Sequence, residues 1–270
     1  MKKRIIIITS ILICFLLVFS ILLSIYISNN QKITVLTYHN IGTKQDIENN
    51  LSEKPWTIDI ENFEEHLKML KKHNFKTLTL EEFYKWKKGE IKLPYKSVLI
   101  TFDDGFYSNY YYAFKLLKKY NMNATVFLIG NYMEDKNEVW NGNLKTYISK
   151  ETLEKCKTEY PNIEFASHTY ALHEHDALEK SSLEDLYKDA KMFKENVINT
   201  DYIAYPFGKN NENFRKALKE NNYKMAFIFG PSKKEYRKAS RKDNDFLIPR
   251  LNTSFGMNPT KLLFRLLMPF

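Results

Sequence analysis

From residue 32 onward, short compact apolar runs alternate with amphipathic helical patterns about seven times. The runs cover 33–38, 97–102, 124–129, 163–167, 202–205, 224–229 and 246–249. Asp59 is placed to cap a helix that carries Phe63, Leu67 and Leu70 on one face, at spacings of four and three. Further helical patterns cover 110–120, 152–159, 183–197, 213–221 and 259–267. Such alternation predicts an α/β fold with a mostly parallel sheet. Right-handed crossovers then permit an open doubly wound sheet or a barrel. No G-x-G-x-x-G follows the first strand, so a dinucleotide-binding sheet lacks support. The expected fold is a distorted (β/α) barrel of about seven parallel strands.

The residues just past the predicted strands are polar and chemically pointed. Tyr38-His39 follows the first, Asp103-Asp104-Gly105 the second, and His168 with His173 the run at 163–167. Tyr205-Pro206-Phe207-Gly208 and Arg250 end two more. In a parallel barrel these ends gather on one face, where active sites are built. Two adjacent carboxylates leaving a strand point different ways, so one can bind a metal while the other handles a proton. Alone, Asp103-Asp104-Gly105 also reads as a solvated turn. Two imidazoles and one carboxylate form a zinc-type donor set that leaves a coordination position open. His175 is an alternate ligand, while His66 and His73, seven apart on a helix, read as surface residues.

Taken together, Thr101-Phe102-Asp103-Asp104-Gly105 and Ser167-His168-Thr169-Tyr170-Ala171-Leu172-His173 resemble the first two motifs of the polysaccharide deacetylases, the NodB-homology or carbohydrate esterase family four. Four residues separate the histidines instead of the usual three. That spacing, with Val35–His39, Ala204–Gly208 and Ile248–Asn252, is similar to the branch acting on poly-β-1,6-N-acetylglucosamine of biofilms. The resemblance implies that Asp104, His168 and His173 bind one divalent metal, usually Zn2+, with Co2+, Ni2+ or Fe2+ as substitutes. It implies that Asp103 is the general base and that the Phe207 N–H adds an oxyanion donor, with Tyr205 beside it in the substrate site. The family's C-terminal histidine acid is missing, since no histidine follows His175. His39 is the candidate acid on the resemblance to the biofilm branch. The arginine of the third motif is replaced by Ala204, and Arg250 is the candidate to supply that charge to Asp103. The implied activity is removal of N-acetyl groups from an N-acetylglucosamine polymer. Peptidoglycan or acetylated xylan is the alternative substrate, and a catalytically inactive glycan-binding surface module the alternative class.

Residues 5–28 carry no charge. At about 1.5 Å per residue they would make a helix roughly 36 Å long, against a hydrocarbon core of about 30 Å. Lys2, Lys3 and Arg4 precede them, which favours the N-terminus inside. A cleaved signal peptide would have a shorter apolar run and a small-residue site, and Ser24-Ile25-Tyr26-Ile27-Ser28 is a poor one. The expected organisation is a cytoplasmic tip at 1–4, a transmembrane anchor at 5–28 and an extracellular catalytic domain at 29–270. A polysaccharide synthase or export machinery is the expected neighbour in the membrane. The net charge of +9 is carried mostly by Lys, with only six Arg, and no basic run interleaved with aromatics suggests nucleic acid. The tyrosines at 107 and 110–112 are placed either to line a sugar-binding groove or to pack the following helix.

Overall fold

The computed structural model describes residues 12–22, 31–136, 139–229, 237–253 and 256–268. Residues 12–22 form helix α1, whose large apolar side chains are all exposed. Among the described residues no helix is long and apolar enough to cross a membrane. The remainder of the expected 5–28 span lies outside the described residues.

The body begins with β1 (Lys32–Tyr38), β2 (Asn40–Gly42), α2 (Lys44–Asn49), β3 (Thr57–Asp59), α3 (Ile60–Lys72), β4 (Lys76–Thr77), α4 (Leu80–Lys88) and β5 (Ser97–Phe102). It continues through α5 (Phe114–Tyr120), β6 (Ala124–Leu128), α6 (Lys150–Glu159), β7 (Ile163–Ser167), α7 (Ala177–Lys180) and α8 (Leu183–Asn196). The last elements are β8 (Tyr202–Ala204), α9 (Glu212–Glu220), β9 (Met225–Phe227), β10 (Ala239–Ser240), β11 (Leu251–Asn252) and α10 (Pro259–Leu267).

The main sheet runs β10-β1-β5-β6-β7-β8-β9, parallel throughout except for β10. β11 pairs in parallel with β1, Leu36 opposite Leu251, and Ile248 bridges Phe227 of β9. The stretch from Ile248 to Asn252 therefore touches both ends of the parallel run and curls it into an α/β half-barrel. The predicted strand at 246–249 is displaced accordingly, because Pro249 has no N–H to give a ladder.

Strand side chains alternate between two cores, as a period of two requires. Val98, Ile100 and Phe102 pack outward with Phe63, Leu67 and Phe114 of the helices. Val35, Leu99, Phe127, Ala166 and Phe227 point inward. Helix α4 supplies Leu80, Phe83 and Trp86 to that interior cluster. It is tied to the strand starts by the Leu80 N–H on Glu164 and the Tyr202 hydroxyl on Glu81. It thus closes one end and leaves the C-terminal strand ends open.

The segment after His39 is ordered by β2, α2 and β3, with β2 and β3 forming a small parallel sheet. Asp59 caps α3 as expected, accepting from the N–H groups of Glu61 and Asn62. His66 does not lie at the surface. It is fully buried on α3, its Nε2–H donating to the Met257 carbonyl (2.8 Å) while Nδ1 accepts from the Tyr38 hydroxyl (3.0 Å). One neutral imidazole thereby joins β1, α3 and the approach to α10.

Burial pushes the His66 imidazole down from 6.5 to about 4, only partly offset by the Met257 bond. The unfolded chain therefore binds a proton that the folded one refuses between those values. Stability is full above pH 6.5 and falls as pH drops towards 4, by about 3 kcal/mol from this group. Urea unfolding of the wild type and His66→Gln across pH 4–7 should show the slope in the wild type and its reduction in the variant. Equal slopes would contradict the assignment.

Candidate active site

The open end of the half-barrel is a cleft of about 240 Å³ lined by His39, Trp56, Asp103, Asp104, His168, His173, Phe207 and Phe229, among others. Each predicted strand end contributes through a local backbone device. β5 continues one residue past its end, the Asp103 N–H donating to the Tyr38 carbonyl. The chain then takes two left-handed residues, Asp104 (φ 69°) and Gly105 (φ 76°). Aspartate tolerates that region better than most residues. Gly105 suits its left-handed φ, which side chains rarely adopt, and a Cβ there would also crowd Leu128 Cδ2 at 2.7 Å. This turn, rather than strand alternation alone, separates the two carboxylates.

Asp103 turns into the buried interior. Arg250 grips it with two parallel bonds, Nη1 to Oδ1 at 2.6 Å and Nη2 to Oδ2 at 2.8 Å. The Arg250 Nε–H donates to the Ile228 carbonyl. Both residues are nearly solvent-free. Burial would raise the Asp103 carboxyl, but the charges of Arg250 and His168 more than offset it and hold it below the ordinary value.

Asp104 turns the other way, with Oδ1 3.3 Å from His168 Nε2 and 3.0 Å from His173 Nε2. His168 Nδ1 lies 2.8 Å from the Ala204 carbonyl, which can only accept, so that nitrogen carries the proton. His168 Nε2 then presents either a second proton or a lone pair to a carboxylate oxygen. Burial raises the Asp104 carboxyl, yet bonds from His168 and His173 leave it well below the ordinary range. Two imidazole nitrogens and a carboxylate oxygen facing one another form a set that could hold a cation between them. The donor set is one a divalent ion such as zinc accepts.

His173 reaches this point because residues 169–172 are held in place. Thr169 is left-handed (φ 75°), an uncommon state for a β-branched residue. Asp189 of α8 accepts from the N–H groups of Tyr170 (3.0 Å) and Ala171 (2.7 Å). Burial raises its carboxyl, against the opposing pull of these bonds. Sequence reasoning misses Asp189, although it sits on the apolar stripe of α8 with Leu186, Ala190 and Phe193. A carboxylate on such a stripe is the signal that finds it.

His39 follows β1 and packs against the rings of Trp56 (5.1 Å) and Phe229 (5.7 Å), which also touch each other (6.2 Å). Its Nδ1 is buried without a hydrogen-bond partner. Phe207 is left-handed (φ 57°) and partly exposed, its ring 5.1 Å from that of His173. The following Gly208 is obligatory, since a Cβ there would come 2.0 Å from the Phe229 carbonyl oxygen. Tyr205 does not join the cleft. Its ring is fully buried against Phe214, in a core shared by α8 and α9. His175 is likewise outside the cluster and hydrogen-bonded to Asp176.

The fold is that of deacetylases of known structure. A Streptococcus pyogenes deacetylase in complex with acetate superposes with a TM-score of 0.73 at 23% identity, covering 87% of this chain and 98% of that one. IcaB from Ammonifex degensii gives 0.68 at 23% identity, over 88% and 98%. In sequence, the poly-β-1,6-N-acetyl-D-glucosamine N-deacetylase of Staphylococcus epidermidis is 35% identical over 211 residues, 71% of this chain and 70% of the relative. Residues 90–226 match the polysaccharide deacetylase family, and the chain belongs to it. It is a polysaccharide deacetylase.

Removing one half of a buried, hydrogen-bonded ion pair strands the other charge. Arg250→Met should therefore cost about 3–5 kcal/mol of stability. Asp103→Asn combined with Arg250→Met should recover most of that loss in urea unfolding while remaining inactive. A double variant no more stable than Arg250→Met would contradict the pairing.

Proposed function

We propose that this deacetylase is a divalent-cation-dependent enzyme that removes N-acetyl groups from an extracellular N-acetylglucosamine polymer, with poly-β-1,6-N-acetylglucosamine as substrate. The observation that carries this reading is one cleft holding two adjacent carboxylates in opposite settings. Asp104 faces two imidazoles. Asp103 is clamped by an arginine. The activity for which the staphylococcal relative is named supports the choice of polymer.

Asp104, His168 and His173 would hold the cation, which when bound polarises the acetyl carbonyl and acidifies water. Asp103 takes the proton of the attacking water. Each of its oxygens keeps acceptor capacity beyond the bond from Arg250. Arg250 fixes the plane of the carboxylate and keeps it ionised at neutral pH. As water oxygen bonds to the carbonyl carbon, negative charge grows on the carbonyl oxygen, and the Phe207 N–H stabilises it. The carbon–nitrogen bond then breaks. His39 gives its proton to the leaving amine, yielding acetate and a free amino sugar. Trp56 and Phe229 fix the plane of that imidazole.

In the same proposal, residues 5–28 are an uncleaved anchor, with 1–4 inside and 29–270 outside beside the machinery that makes or exports the polymer. The charge-free run, the three cations before it and the exposed apolar side chains of α1 support this. N-terminal sequencing of the cell-associated protein should find the initiating end. A mature N-terminus near Gln31 would overturn the anchor.

The full chain in detergent should release acetate from β-1,6-linked oligomers faster than from β-1,4-linked ones. A chelator should abolish release and added Zn2+ restore it. Asp103→Asn should lower kcat by about 10²–10⁴, the usual worth of a positioned base. Undiminished release by Asp103→Asn, or by cation-free protein, would refute the mechanism.

A further inference from the structure

At the floor of the half-barrel, where β1 and β5 begin, lies a pocket of about 220 Å³. Its walls carry Lys32, Lys96 and Lys238 beside Phe75, Tyr95 and Leu267, and no carboxylate is among its lining residues. Three ammonium groups thus share one small recess. Lys238 is fixed there by donating to the Leu266 carbonyl (2.6 Å) at the end of α10. Burial and the charge of Lys32 lower its pKa, as expected for a cation crowded by another. The surroundings are apolar and open to solvent. Tyr95 is 69% exposed, Leu267 49%, and Phe264, one turn back on α10, 54%.

The chain reaches this floor on a short tether. Gln31 is buried, its Nε2–H donating to the Pro94 carbonyl (2.7 Å) and its Oε1 accepting from the Trp86 indole (3.1 Å). The body is therefore pinned at residue 31, three residues past the end of the charge-free run at 28. Fully extended, three residues reach only about 10 Å. That is close to one Debye length at physiological salt, roughly 8 Å. Lys32 follows Gln31 directly, and Tyr95-Lys96 follow Pro94. From Lys32, β1 carries the chain roughly 23 Å to His39, at about 3.3 Å per residue, so the catalytic cleft opens at the far end.

We infer that this floor docks on the membrane and that the lysine pocket takes the headgroup phosphate of an anionic phospholipid. The inference rests on the proposed anchor at 5–28 and goes beyond it. Phosphate oxygens accept charge-assisted bonds from the ammonium groups. Tyr95, Phe264 and Leu267 meet the glycerol and upper acyl region, where amphipathic and apolar side chains settle. The polymer is uncharged before deacetylation and cationic after it, so it lacks the charge that complements this pocket. A single helix leaves the body free to tilt. A second contact holds the strands upright, with the cleft facing away from the bilayer.

The test is hydroxyl-radical footprinting of the full chain in vesicles of phosphatidylcholine alone or with about one-third phosphatidylglycerol. Tyr95 oxidation should fall about threefold or more with the anionic lipid, since each lysine near such a surface favours it by roughly fivefold. Trp140, on the cleft side, should be oxidised equally in both. Lys96→Gln combined with Lys238→Gln should abolish the fall, and the corresponding pair of Arg substitutions should keep it. Tyr95 oxidation independent of lipid composition, or a fall undiminished in the Gln pair, would overturn the docking site. Protection by free glycerol phosphate in phosphatidylcholine vesicles would also overturn it, leaving a site for a soluble phosphate ester. Alkaline carbonate separates the two claims. Wild type stripped from the vesicles would refute the anchor, and anionic-lipid protection of Tyr95 before the wash would leave the pocket standing.

Discussion

The buried pair between Arg250 and Asp103 joins the closure of the fold to its chemistry. Arg250 lies in the segment whose flanking residues touch β9 on one side and β1 on the other. Asp103 is the first residue past β5, next to β1. Two parallel bonds between them set where the half-barrel's two ends meet. The same bonds fix a carboxylate at the floor of the cleft. Isolated, either charge would be prohibitively costly at this depth, and together, with the Ile228 carbonyl taking the remaining Nε–H, they are satisfied. The carboxylate is consequently ionised and fixed in plane, and a weaker base for it. In the proposed mechanism a cation held at Asp104 would acidify the attacking water and so relieve that weakness, which would tie the proposed role of Asp103 to the donor set around Asp104.

Backbone strain marks the same place. Six non-glycine residues among those described have positive φ. Three are Asn74, Asn121 and Asn222 at helix ends, where asparagine is at home in the left-handed region. The others are Asp104, Thr169 and Phe207, each at a strand end facing the cleft. Left-handed geometry at threonine or phenylalanine costs roughly 1–2 kcal/mol and persists only where surroundings impose it. Here the surroundings are identifiable: Asp189 under the 170–171 amides, and the Phe229 backbone against Gly208. The strain accompanies the turn that orients Asp104 and the loop that brings His173 to it.

Much of this is legible in the chain. Strands at 97–102 and 163–167 stand where compact apolar runs place them, because both faces of a parallel sheet are buried. Asp59 and the Asn258-Pro259 pair mark helix starts by chemistry local to the cap. Helix α4, absent from the predicted elements, carries its signals too: a Thr79–Glu82 capping box and Gly89 in a left-handed cap. The burial of His66 is not legible, since helical spacing cannot say which neighbour a face meets, nor is that of Tyr205, since a strand end does not say whether the next side chain enters the cleft or the core. Nor is the shifted closing strand, which depends on where Pro249 interrupts the ladder. The gathering of the Asp103-Asp104 pair with His168 and His173 is anticipated from strand ends, and the choice of Asp104 as the member that joins them from the resemblance to the deacetylases. The turn that produces it, two consecutive left-handed residues, is not.

The central claim is that Asp104, and not its buried neighbour, joins His168 and His173 around a cation. Anomalous X-ray scattering at the zinc edge from crystals grown with Zn2+ tests it directly. The predicted result is one peak bonded to an Asp104 oxygen and to the Nε2 atoms of His168 and His173 at about 2.0–2.2 Å, with the Arg250–Asp103 pair intact. A peak ligated by Asp103 instead, or no peak between the two imidazoles, would contradict it.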